Sequence, residues 1–184
     1  MIIENITFRQ YLELENRADY DFFIKYSIKC NTAQDIFNIG DFTKLTFEIV
    51  KDLQYDLAND FTWMQLFEYI YRIKEIPIKK LGKYELISLC QARKYMIDEI
   101  KRITEIENIA LAYIPDDKEI RAGIEKLASI NTYLQFRTIA QSLNLTIQQV
   151  KNLKYEEAFL ELVTQNMLAD YEKKLIEIKS EKVN

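Results

Sequence analysis

Histidine is missing from all 184 residues, and with it go Ser-His-Asp and Cys-His catalysis, imidazole acid–base chemistry and most zinc and helical di-iron sites. Three glycines and two prolines cannot supply the turns of a β-sandwich or barrel. No glycine-rich loop is present to cradle a phosphate. No apolar run of about 18 residues occurs, and the amino-terminal Met-Ile-Ile-Glu-Asn lacks the basic and apolar regions of a signal segment. These absences predict a helical, cytosolic protein with no cofactor, no metal and no membrane span.

The residues that are present fit a packed core: 48% are hydrophobic and 29% charged. A net charge of -4 gives no global field that attracts nucleic acid or an anionic membrane. Cys30 and Cys90 lie in apolar surroundings, as expected of free, buried thiols in a reducing compartment. Acidic pairs occur at Glu13/Glu15, Asp19/Asp21, Asp116/Asp117 and Glu156/Glu157. Residues one or two apart on a helix point in different directions, so these read as caps and wetted faces, not as convergent metal or acid–base groups. The chain is therefore expected not to be an enzyme.

Apolar periodicity predicts an all-α, multi-helix bundle of about eight to nine helices, with a long central helix and a long carboxy-terminal one. Short helices are expected over 7–15 and 19–29, another after a cap at Thr32, and two more over 42–59 and 61–73. The central helix runs from Tyr84 to Tyr113 and Pro115 ends it. Asp116-Asp117 then caps a helix through Leu127, followed by helices over 131–143, 146–153 and 155–178. Pro77 and Gly82 bracket a basic connector, which divides an acidic, aromatic-rich part, residues 1–76, from residues 77–184, unless the two form one continuous domain. No repeat and no strand stand out.

Three constellations remain as candidate sites. Leu168, Tyr171, Leu175 and Ile178 follow 3-4-3 spacing with Glu172, Lys173, Lys174 and Glu177 between them, a stripe that needs a partner. With 12 tyrosines and 10 phenylalanines, Tyr69 and Tyr71 among them, interfaces through aromatic surfaces are expected. Lys79, Lys80 and Lys83 form a basic patch that suits a phosphate or an acidic partner surface, with a solvated connector the more common use of such a cluster. Residues 138–153 have helix-turn-helix spacing around Asn144, in which Gln148, Gln149, Lys151 and Asn152 would read DNA. Glu156, Glu157 and Glu161 place negative charge where phosphates would lie, so a corner between packed helices is the favoured reading.

Ala122-Gly-Ile-Glu-Lys-Leu127, Ile139-Ala-Gln-Ser-Leu143, Val150-Lys-Asn-Leu-Lys-Tyr-Glu-Glu-Ala-Phe-Leu-Glu-Leu162 and Tyr171 on a charged terminal helix resemble the helical structural and assembly proteins of tailed bacteriophages, tail assembly chaperone-like proteins in particular. The resemblance covers about residues 120–175. It implies a non-enzymatic protein, either a virion ring, connector or tail component or a tail assembly chaperone. Its partners would be other protein subunits, as a homo-oligomer or within a larger phage assembly. It would work in the host cytoplasm during assembly or be retained in the virion. The alternative is a helix-turn-helix DNA-binding regulator using residues 138–153.

Overall fold

The computed structural model describes residues 6–59, 61–113 and 115–181, the side chains of Ala128 and Glu181 excepted. It is all-α, with eleven α-helices among the described residues where eight to nine were expected. These are α1 (Phe8–Leu12), α2 (Ala18–Tyr26), α3 (Ile28–Asn31), α4 (Phe47–Ala58), α5 (Trp63–Lys74), α6 (Ile78–Leu81), α7 (Leu86–Ala110), α8 (Asp117–Ala122), α9 (Asn131–Leu143), α10 (Ile147–Lys151) and α11 (Tyr155–Glu181). Pairing outside helices is confined, among the described residues, to two isolated bridges.

Local chemistry explains most boundaries. Thr7, Thr62 and Thr146 each accept a hydrogen bond from the backbone N–H three residues on, and Gln10, Gln65 and Gln149 return the bond in a capping box. Asp116 and Glu119 do the same for α8. That helix stops at Gly123, whose φ of 83° is left-handed, so the helix expected through Leu127 continues only as a 3-10 segment, Ile124–Ile130. No helix follows Thr32. The Asp35 carboxylate instead accepts from the Ile39 and Gly40 backbone N–H groups at 2.7 and 2.8 Å and closes a loop, because Asp satisfies the backbone locally in place of a helical turn.

The chain divides into two compact units, Met1–Leu45 with Asp52–Ile103, and Thr46–Lys51 with Thr104–Asn184. The boundary expected at 76/77 coincides with neither, since Pro77 lies inside the first unit as the N-cap of α6.

Both units carry one arrangement, 69 positions apart. In the first, α5 ends at left-handed Glu75, the short α6 follows, and Glu85 bridges to Thr7 immediately before α7. In the second, α9 ends at left-handed Asn144, the short α10 follows, and Lys154 bridges to Thr46 immediately before α11. Each bridge docks a Thr-Phe pair that begins another helix. The Phe8 N–H donates to the Tyr84 carbonyl at 3.0 Å, and the Phe47 N–H donates to the Leu153 carbonyl at 2.8 Å. The two phenylalanines meet equivalent rings edge-on, Phe8 on Phe67 at 4.9 Å and Phe47 on Phe136 at 5.0 Å. Ile70 and Ile139, Leu81 and Val150, and Leu89 and Ala158 are further equivalent pairs, all fully buried. The chain thus contains a structural repeat that was not expected.

Candidate interaction surface

The second unit is centred on α11. Tyr155, Ala158 and Leu162 on one side of this helix are buried, and the Tyr155 ring stacks on Phe159 at 5.7 Å. The Tyr155 hydroxyl donates to Glu107 at 2.6 Å, and Glu107 also accepts from the Lys51 ammonium at 2.7 and 2.9 Å. Burial pushes the Lys51 ammonium below the ordinary lysine range, and the Glu107 carboxylate opposes that shift.

Half a helical turn from this core face lies a second apolar face. At 3.6 residues per turn, Leu160, Met167, Leu168, Tyr171, Leu175 and Ile178 fall within an arc of about 100°. Leu160, Met167 and Tyr171 are 67%, 68% and 63% exposed, Leu168 and Ile178 are about half exposed, and Leu175 is partly covered. The expected stripe of Leu168, Tyr171, Leu175 and Ile178 is therefore on the surface. Leu160 and Met167 extend it toward the amino-terminal end of the helix, and their seven-residue spacing is the sequence signal that marks them.

Lys173 holds the core side of this distal segment. Its ammonium lies 3.2 Å from Asp116 and 3.8 Å from Glu119, the two capping-box residues of α8, and the Tyr113 hydroxyl donates to Glu119. The Glu119 backbone N–H and the Lys173 ammonium hold the Asp116 carboxyl below the usual carboxylate range. The Tyr113 hydroxyl does the same, as the largest influence, for Glu119. These bonds leave the opposite, apolar face uncovered.

The other expected site residues are scattered. Tyr71 is exposed, but Tyr69 is not a surface residue: it is 2% exposed and its hydroxyl donates to Asp56 at 2.6 Å, because α5 turns that face into the core. Lys79, Lys80 and Lys83 are exposed on and just after α6. Lys79 and Arg9 border an apolar hollow of about 250 Å³ formed by Phe8, Leu12, Met64, Phe67 and Ile78. Gln148, Gln149, Lys151 and Asn152 fall on or beside α10, which has five residues. The Gln149 side chain is taken up by the capping box, and Lys151 pairs with Glu48 at 2.7 Å. Gln148 and Asn152 are exposed.

Among the described residues no group of His, Cys, Asp and Glu side chains is placed to hold a metal ion, and no helix is long and apolar enough to cross a membrane. Family models, curated proteins and solved structures all fail to match the chain.

Proposed function

We propose that this chain is a non-enzymatic structural or assembly protein that acts through protein–protein interfaces, of the kind tailed bacteriophages use as ring, connector or tail subunits or as tail assembly chaperones. The observation that carries the reading is the second apolar face of α11. A helix already packed through Tyr155, Ala158 and Leu162 gains nothing in its own fold from six more apolar side chains on the opposite side. Burying one such side chain against a partner contributes about 1.5–3 kcal/mol. The acids and lysines that flank the stripe would set register more than affinity. Exposed Phe22, Tyr26, Tyr71 and Tyr133 supply further aromatic anchor points.

Light scattering of the purified chain over a range of concentrations, alone and with co-expressed neighbouring gene products, tests this proposal. Association that weakens in the Tyr171→Asp variant supports it. A strictly monomeric chain that captures none of those products speaks against it. The DNA-regulator reading has less support, because a recognition helix of five residues whose Gln149 and Lys151 are engaged within the chain offers few groups to a major groove. A mobility shift with random duplex at low salt would revive it.

A further inference from the structure

The repeat places the same position of the fold side by side in two chemical versions. In the first unit, Met96 and Ile97 of α7 face Leu53, Leu57, Phe61 and Ile100 across a gap with no space for a water molecule. Leu66, on α5, is fully buried. Sixty-nine positions later the equivalents of Leu66, Met96 and Ile97 are Gln135, Gln165 and Asn166, and there the second unit holds an open cleft of about 660 Å³. Asn108, Asn131 and Thr138 add further amide and hydroxyl groups, and Leu111, Ala112 and Leu162 add apolar wall.

Stability alone does not account for this substitution. The Gln135 side-chain oxygen is buried and has no hydrogen-bond partner, a cost that the leucine at the equivalent position avoids. Two buried apolar positions, Leu66 and Met96, and the half-buried Ile97 have become carboxamides, and one of these is left unsatisfied. Such a cleft is characteristic of a site that completes its hydrogen bonds with a ligand.

We infer that the cleft between α7, α9 and α11 binds an uncharged, extended peptide segment through the carboxamides of Gln135, Gln165 and Asn166. Among the described residues no lysine or arginine lines it, and its carboxylate, Glu107, is paired with Lys51, so phosphate groups find no counter-charge. Among the described residues the sole aromatic in the lining is Tyr113, whose hydroxyl is engaged with Glu119, so the stacking platforms that bases require are lacking there. Carboxamides match main-chain amides in both donor and acceptor. The Gln165 amide nitrogen donates to Ser142 at 2.9 Å and to Glu161 at 2.8 Å, which leaves its oxygen to accept a backbone N–H. Gln135 also lines the cleft, and a turn of its side-chain amide toward the opening presents the buried, unpartnered oxygen as a second acceptor. In the first unit this part of the fold is closed by main chain: the Arg93 guanidinium donates to the Phe61 carbonyl at 2.5 and 3.2 Å. The second unit has Leu162 at the equivalent position, which cannot make such a bond. The inference is independent of the exposed face of α11, which lies on the other side of that helix.

The test is titration of the isotopically labelled full chain with blocked acetyl-tetraalanine-amide, followed by NMR at the side-chain amides, with maltotriose and adenosine as comparison probes. The expected result is saturable shifts at Gln135, Gln165 and Asn166 with the peptide alone, in the millimolar range expected for so small a ligand. Gln135→Leu, which restores the residue type of the first unit, is expected to abolish those shifts and to raise the melting temperature by a few degrees. The combined variant with Gln165→Met and Asn166→Ile should behave in the same way. No saturable shift with the peptide, an equal or larger response to maltotriose or adenosine, or peptide binding retained in Gln135→Leu would each overturn the assignment.

Discussion

Lys51 and Glu107 stand 56 positions apart and form a two-point ion pair, 2.7 and 2.9 Å, in which both residues are less than a tenth exposed. The Lys51 ammonium also lies 5.3 Å from the centre of the Phe47 ring, so the first turn of α4 is held in the second unit by a charge as well as by an aromatic contact. Breaking one side of such a pair leaves a buried charge without compensation. Glu107→Gln is expected to destabilise the chain by about 3–5 kcal/mol. Replacing the whole group by Lys51→Met, Glu107→Leu and Tyr155→Phe should recover much of that loss. Urea denaturation of the two variants measures both effects.

Phe67 and Phe136 do the same work in the two units, and their loss should be felt locally. Phe67→Ala and Phe136→Ala are each expected to cost about 3–5 kcal/mol. Hydrogen exchange should then quicken at the Phe8 amide in the first variant and at the Phe47 amide in the second, because each ring holds its own Thr-Phe segment. Faster exchange at both amides in either variant would contradict the equivalence.

The two sides of α11 should respond differently to charge. Leu168→Asp and Tyr171→Asp are expected to leave helicity and melting close to wild type while weakening self-association or partner binding. Leu162→Asp, on the core face, should unfold the second unit. Circular dichroism and light scattering on the same samples separate these outcomes.

Alkali should weaken the first unit through Tyr11. Burial and the hydrogen bond to Asp21, 2.5 Å long, push this phenol up to about 12 from its ordinary value near 10. The folded chain therefore holds the proton more tightly than the unfolded chain. The stabilisation is complete below pH 10 and is lost as pH rises from there through 12. Denaturation midpoints measured across that window should fall, and Tyr11→Phe should flatten the fall.

Cys30 and Cys90, 60 positions apart, are neighbours in the first unit, both buried and both free thiols. A hydrogen bond from Cys90 lowers the Cys30 thiol, and the same contact together with burial raises that of Cys90. Burial should dominate reactivity. A thiol reagent is expected to label neither residue in the native chain, and to label both once denaturant is added.

Local patterns written in the sequence decide much of this protein. A Thr with Gln three residues later caps the start of α1, α5 and α10, and the 3-4-3 spacing of Leu168, Tyr171, Leu175 and Ile178 draws the exposed stripe before any fold is known. The scarcity of glycine and proline similarly left helices as the remaining choice. These features act within one or two turns, so they can be read from neighbouring residues. The repeat could not be read in this way. Between residues 62–97 and 131–166 the identical pairs are Phe67/Phe136, Ile70/Ile139 and Ile78/Ile147, too few to stand out in a chain rich in apolar residues. Tyr69 shows the same limit, since its burial depends on the Asp56 carboxylate that α4 brings to it. Only the tertiary structure puts Gln135, Gln165 and Asn166 around one cleft, joins Lys51 to Glu107 and brings the two thiols together. Each of these relationships depends on which distant segments pack, and the periodicity of a helix carries no record of its eventual neighbour.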